Sequence, residues 1–420
     1  MNMIYNAAMS MAKAVVPLFA GKGESTGDSK FRKFVKGQKD ILRHIADTFS
    51  NEDRKPVIWI HAASLGEYGV ARPIIKKLKA EGKYLTVLTF FSPSGYEALK
   101  KRKDGPDYVF YLPLDEKRNV RRFLNIIHPD KAVFIISEYW PNYLEELRNR
   151  EIPTFLISAL ITRRSVFFKW YGGIFRKCLN TFNAITVLNE ESLKNLESMG
   201  YRHAVLTGDP LFDNVAAAAA TPFSDSIVEE FTRPAEGRVL IAGSTSDQND
   251  TRMVTELANR HKDTRFIIVP HEITEQNTKA ISSMLTGRTA VYSKCGADTS
   301  LYDAQVLIID RLGILPFLYR YARLAYIGGG FTPFLHNILE ATVYGLPASF
   351  GPETGRKTVP QDLIRLGIGQ TVKDEDELDA WFNRLNDNED DLRRIRDAAK
   401  EYLESKCGAT SAIMDIIESY

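Results

Sequence analysis

At 420 residues the chain is longer than one hydrophobic core ordinarily supports, and roughly 100–200 residues per domain points to two domains or three. Its 55 basic and 53 acidic residues leave a net charge of +2, which excludes a general attraction to nucleic acid and confines any basic function to local clusters. Cys178, Cys295 and Cys407 are far apart and form no C-x-x-C pair, which argues against a disulfide framework or zinc site and for a reducing compartment.

The first segment, 3–20, is apolar but interrupted by Asn6, Ser10, Lys13 and Pro17, too short and broken to span ~30 Å of hydrocarbon. Its first charge, Lys13, lies inside the apolar run rather than before it, against a cleaved secretory signal. Ile4, Ala7, Ala8, Met11, Val15 and Leu18 recur at helical spacing, and Lys30, Arg32, Lys33, Lys36 and Lys39 follow with Phe31 and Phe34 interleaved. Residues 1–40 are therefore expected to lie on an anionic membrane surface. The competing reading is a helix packed on the protein's own body with a solvated basic face.

Short β-branched and aromatic runs then alternate with helical patterns, at 57–61, 85–90, 108–112, 132–136, 154–157 and 184–188. A second series runs 238–242, 265–269, 306–309, 324–327 and 346–350. Two Rossmann-like α/β domains with parallel sheets are expected, 41–215 and 216–420. Asp209-Pro210, the alanine run 216–220 and Pro222 read as a linker with one short helix. After Asp374 the pattern turns helical and charged, and its last segment can cross back onto the first domain.

The first strand ends in His61-Ala62-Ala63-Ser64-Leu65-Gly66-Glu67, before the helical run Val70, Ile74, Ile75, Leu78. Ligands of open α/β sheets bind at the carboxyl ends of strands, and small residues such as Ser64 and Gly66 allow close approach to the backbone. Glu67 beside a helix start is expected to act as a base without a raised pKa; equally, that spacing suits a glutamate satisfying free helix N–H groups. Glu138, Tyr139 and Trp140 precede Pro141 in the same strand-to-helix setting, an acid among aromatics that suits a sugar, although Trp140 can also plug helix against sheet. Arg163 and Arg164 bring cations to that edge, or are surface charge. In the second series, Gly243-Ser244-Thr245-Ser246-Asp247 reads as a single-phosphate cradle at a helix start. The ordered set Gly328-Gly329-Gly330, His336-Asn337, Glu340, Gly345 and Gly351 suits a nucleotide: glycines at the phosphate, His336 and Asn337 donating to oxyanions, Glu340 within reach of ribose hydroxyls. A glycine-rich structural turn explains the glycines but not the ordered set.

In order along the chain, the W-I-H-A-x-S-x-G-E stretch ending at Glu67, Ser92-Pro93-Ser94-Gly95, Pro113-Leu114-Asp115, E-x-W-P-N at 138–142, Gly208-Asp209 with Asp213, Ser244-Thr245, Val269-Pro270-His271 and His336-Asn337-x-x-Glu340 resemble the 3-deoxy-D-manno-octulosonic acid (Kdo) transferases. The resemblance spans about 55–370. It implies a B-type glycosyltransferase fold whose two domains face a cleft, and a metal- and cofactor-free inverting transfer of Kdo from CMP-Kdo to the lipid A precursor at the cytoplasmic face of the inner membrane. It implies Glu67 as the general base with Glu138 in reserve, Ser64, Gly66, Trp140 and Arg164 at the acceptor, and Ser244, Thr245, His271, Gly329, Gly330, His336, Asn337 and Glu340 at the donor. The chain departs from the family pattern at Ser246 to Asp250, where glutamates are usual, at His271, where an arginine is usual, at Phe334-Leu335 in place of Gly-Gly, and at Leu160 in place of an arginine, leaving Arg164 as the matched cation. The rival expectations are a UDP-sugar transferase or 2-epimerase on the same fold, and a non-catalytic membrane scaffold.

Overall fold

The computed structural model describes residues 5, 6, 9, 30–51, 53–100, 102, 105–235, 237–296, 300–355 and 358–420. The helical face expected from Ile4, Ala7, Ala8, Met11, Val15 and Leu18 lies outside them. The basic cluster that follows forms the helix Lys30–Gln38, where Lys33 and Lys36 are exposed. The chain divides into two units: the first runs to Asn214 and takes back Lys406–Tyr420, and the second is Val215–Ser405.

The first unit is built on β1 (Val57–His61), β2 (Leu85–Phe90), β3 (Tyr108–Tyr111), β4 (Lys131–Ile135), β5 (Thr154–Ala159), β6 (Ala184–Val187) and β7 (Ala204–Leu206). They form one sheet in the order β3-β2-β1-β4-β5-β6-β7, every pairing parallel. Helices cover both faces, so β1 is buried at every position. One face packs Trp59 against Phe123, Phe134 and Tyr143, with ring centroids 5.1–5.4 Å apart. The opposite face packs Ile58, Ile60, Ile74 and Leu78 with Ile413, Met414 and Ile417 of the last helix, Ala409–Glu418. That helix is held at both ends. Asp213, on the helix Pro210–Ala220, accepts from the N–H groups of Gly408 and Thr410, each at 2.7 Å, and from the Thr410 hydroxyl at 2.6 Å. At the other end Lys131 Nζ donates to Ile417 O at 2.6 Å, which suits a cation at a helix C-terminus.

The second unit contains β8 (Val239–Thr245), β9 (Arg265–Pro270), β10 (Thr289–Val291), β11 (Val306–Ile308), β12 (Leu324–Ile327), β13 (Ala348–Phe350) and β14 (Gly369–Thr371). Its parallel sheet has the order β10-β11-β9-β8-β12-β13-β14. In each unit the strand order reverses beside the first strand, between β1 and β4 and between β8 and β12. That reversal opens a crevice at the carboxyl edge, where doubly wound sheets bind ligands. The strands β7, β10 and β14 are absent from the reading of the sequence. All three are three-residue strands at sheet edges, too short to produce an apolar run.

Candidate active site

At the β1/β4 reversal the chain leaves β1 at His61, and Ser64 caps the helix Leu65–Glu81 by accepting from Glu67 N at 3.5 Å. Glu67 reaches back to accept from Ala63 N, completing a reciprocal cap. An added Cβ on Gly66 meets only Ser64 Oγ, at 3.8 Å, so the backbone here is open to close approach. Burial and the nearby charge of Glu138 push the Glu67 carboxyl up to about 7, against the pull of the Ala63 and Ser64 amides. The expectation of a base with an ordinary pKa is therefore wrong: loss of hydration outweighs the helix terminus.

After β4, Ile136 adopts φ 62°, a left-handed conformation that costs a β-branched residue about 1–3 kcal/mol and is typical of functional turns. The turn delivers Glu138, whose Oε2 accepts from Trp140 Nε1 at 2.7 Å and lies 3.1 Å from His61 Nε2. His61 is fully buried, and its Nδ1 lies 2.9 Å from Thr89 Oγ1. Trp59 Nε1 donates to the same Thr89 hydroxyl at 2.9 Å. These distances allow Trp59 to donate to Thr89, Thr89 to His61 Nδ1, and His61 Nε2 and Trp140 to Glu138, while His61 Nδ1 also lies 3.1 Å from Thr89 O, to which it would donate in the other tautomer. Trp140 also packs on Phe91 at 5.1 Å. Its indole N–H is thus committed to Glu138 while part of its ring fills the gap against the sheet. Asn142 is internal: its N–H donates to buried Asp115 at 3.1 Å, beside Tyr143 N at 3.0 Å and the Tyr5 hydroxyl at 2.7 Å. Burial pushes Asp115 up to about 6. Arg164 lies exposed in the loop that follows β5.

In the second unit the expected phosphate cradle is largely occupied by the protein itself. Asp247 caps the helix Gln248–Arg260 by accepting from Asp250 N at 2.9 Å. Buried Asp250 accepts from Ser246 N at 2.9 Å, Gly329 N at 2.8 Å and the Tyr326 hydroxyl at 2.8 Å. Burial raises its pKa. Asp250 thus takes the Ser246 and Gly329 amides and Asp247 takes the Asp250 amide, and both carboxylates bring negative charge to the loop. Ser244 adopts φ 56° at a bulge between β8 and β9, and the buried Thr245 hydroxyl has no partner among the described residues. Gly328 and Gly330 are demanded by packing, since a Cβ would collide with Ser244 O or with Gly351 N; Gly329 adopts φ 86°. Beside this loop His271 and His336 bring their rings to 4.5 Å, 35° from parallel. Asn337 Oδ1 accepts from Leu339 N at 3.2 Å, and its Nδ2 donates to Glu340 Oε1 at 3.3 Å, so Asn337 aims the carboxylate rather than standing free.

Residues 39–214 match the family model described as 3-deoxy-D-manno-octulosonic-acid transferase (kdotransferase). That match spans most of the first unit. Across both units the chain is 27% identical over 347 residues to a Kdo transferase of Aquifex aeolicus, covering 81% of this chain and 89% of that one. A Kdo transferase of Haemophilus influenzae is 25% identical over 378 residues, covering 86% and 87%. Among solved structures, the UDP-GlcNAc 2-epimerase of Neisseria meningitidis bound to UDP-GlcNAc superposes with a TM-score of 0.60 over 87% of this chain and 100% of that one. At 15% identity it shows the shared fold of two Rossmann-like domains and nothing about substrate.

Within the first unit, Ser64, Gly66, Glu67, Glu138 and Trp140 gather at one sheet edge, while Arg164 stands further out on the β5 loop. In the second unit Ser244 and Thr245 end β8, His271 follows β9, Gly329, Gly330, His336 and Asn337 lie in the loop after β12, and Glu340 lies in the short helix Leu339–Thr342. Sequence reasoning missed His61, Thr89 and Asp250 as members of these edges. His61 carried a signal, a polar residue ending an apolar strand. Its partner Thr89 is set by register, because the two sit opposite each other on β1 and β2.

Proposed function

We propose that this chain is an inverting glycosyltransferase that moves Kdo from CMP-Kdo to a hydroxyl of the lipid A precursor, lipid IVA, at the cytoplasmic face of the inner membrane. The observation that carries the reading is Glu67: a carboxyl pushed up to about 7 at the ligand-binding edge of the unit that the Kdo-transferase family model matches. A base whose pKa lies near the working pH is suited to remove a hydroxyl proton, typically contributing ~10²–10⁴-fold. The acceptor oxygen attacks the anomeric carbon of Kdo as the bond from that carbon to the CMP phosphate oxygen breaks. The acceptor proton passes to Glu67, and CMP departs with the bonding electrons. Glu138, fixed by Trp140 and facing His61, orients the acceptor, to which Ser64, Gly66, Trp140 and Arg164 add contacts. The imidazoles of His271 and His336 meet anionic oxygens of the donor, the unpartnered Thr245 hydroxyl donates to it, and Glu340, aimed by Asn337, accepts from ribose hydroxyls. Residues 1–40 contribute lipid contact. Among the described residues no helix is long and apolar enough to cross a membrane.

Incubating the protein with CMP-Kdo and lipid IVA and weighing the product tests this directly, each added Kdo appearing as a fixed mass increment. Glu67→Gln should lower turnover by about 10²–10⁴-fold while CMP binding stays near wild type. Near-normal turnover would remove Glu67 from the role. Binding of UDP in preference to CMP would instead favour a UDP-sugar enzyme on the same fold.

A further inference from the structure

Trp170 is 94% exposed and Tyr171 54% exposed, side by side, in the loop that joins β5 to the helix Gly173–Leu179. An indole buries ~150–250 Å² when packed, so leaving one in water requires an explanation in the surrounding structure. The loop is folded rather than loose. Val166–Phe168 forms a 3-10 turn, Phe168 N donates to Ser165 O at 3.1 Å, and Gly172 N donates to Lys169 O at 2.9 Å. Gly172 sits where a Cβ would collide with Val166 O, and Arg176 ties the turn down by donating to Phe167 O. Phe167 is the root: it is buried and packs edge-on against Tyr139 at 4.8 Å, joining the loop to the turn that carries Glu138. The two outward rings are thereby held at 5.4 Å and 89° to each other on a firm base.

The charge along this stretch of chain is one-sided. Between Glu151 and Glu190 the chain has no acidic residue, yet it carries Arg163, Arg164, Lys169, Arg176 and Lys177. All five are exposed. Indole and phenol rings flanked by cations match the boundary between lipid headgroups and acyl chains, where amphipathic rings settle and anionic phosphates meet Lys and Arg. We infer that the 160–172 loop docks on the surface of an anionic bilayer, with Trp170 and Tyr171 entering the headgroup region and Arg163 and Lys169 meeting lipid phosphates. The inference rests on the reading of the chain as an enzyme acting on a lipid, and it adds a docking element on the same sheet edge as Glu138, distinct from residues 1–40.

Fluorescence of the full-length protein isolates the loop from the N-terminal segment. Of the four tryptophans, Trp59 and Trp381 are buried and Trp140 is half-buried, so Trp170 is the reporter facing water. Vesicles of phosphatidylethanolamine and phosphatidylglycerol with brominated acyl chains should blue-shift and quench the wild-type emission, and Trp170→Phe should lose most of both effects. Arg163→Gln with Lys169→Gln should weaken the half-saturating lipid concentration by roughly tenfold or more, at about 1 kcal/mol per cation, with little response to pure phosphatidylcholine. Unchanged quenching in Trp170→Phe, no quenching although the protein sediments with vesicles, or equal response to zwitterionic lipid would each overturn the inference. A detergent-solubilised transfer assay run in parallel separates the two readings: quenching without transfer refutes the transferase and leaves the docking loop, and transfer without quenching does the reverse.

Discussion

Glu67 serves as a helix cap and as a titrating group, and the two roles pull its proton in opposite directions. The amides of Ala63 and Ser64 favour the carboxylate, while burial and Glu138 favour the acid, and the latter pair prevails, to about 7. An unfolded glutamate titrates near 4.3. Between about pH 4.5 and 7 the unfolded chain has released this proton and the folded chain retains it, so folding stability falls as pH rises through that window and levels off above it. Glu67→Gln cannot titrate and keeps an oxygen to accept from Ala63. It should therefore be more stable than wild type by about 1–3 kcal/mol at pH 8, with the difference vanishing near pH 4.5. Denaturant unfolding at the two pH values reads this directly, and equal stability of the two proteins at pH 8 would mean that the carboxyl is not raised. His61 makes the complementary point. Read alone it is a polar residue ending an apolar strand, with no partner named. Only the register of β1 against β2, which sets it opposite Thr89, and the turn at Ile136 turn it into the hinge of a polar chain inside a packed core.

At the scale of elements, the alternating pattern of the sequence predicts the central strands, because a parallel strand buried on both faces is a continuous apolar run. The expected runs at 57–61, 85–90 and 324–327 coincide with β1, β2 and β12. The edge strands β7, β10 and β14 escape because three residues at a sheet border need no such run. The loop after β8 is partly taken up by the protein's own side chains. Hydroxyls and amides at a helix start suit an anion only if nothing else takes them, and what takes them, Asp250, lies a helical turn further on. Asp250 pins the Gly328–Gly330 turn to the helix Gln248–Arg260 through Gly329 N and Tyr326. Asp250→Ala removes the acceptor of the Ser246 and Gly329 N–H groups and of the Tyr326 hydroxyl, leaving buried donors without a partner at a cost of about 1–3 kcal/mol. The expected result is a lower thermal midpoint together with weaker CMP binding, since the glycine turn loses its restraint. Unchanged values for both, by calorimetry, would show that the clamp carries no weight.

For the whole molecule, the first unit is not a continuous stretch of chain. Ile413, Met414 and Ile417 complete one face of its sheet, each worth about 1.5–3 kcal/mol on full burial. They are held there by Asp213 at one end of their helix and Lys131 at the other. Asp213→Ala removes the acceptor of three hydrogen bonds and should cost about 1–3 kcal/mol in the first unit. Hydrogen exchange should show the loss in the Leu65–Glu81 helix and β1 while the strands β8 to β14 stay protected. Uniform loss across both units would contradict it. This return of the chain also sets a schedule for synthesis. A ribosome delivers all of Val215–Ser405 before it delivers the closing helix, and at ~5–20 residues per second that interval lasts roughly 10–40 s. Throughout it, the nascent first sheet carries an open apolar face around Ile58, Ile74 and Leu78, a natural target for chaperones. A polypeptide released early, even one containing all of residues 39–214, lacks the element that seals it.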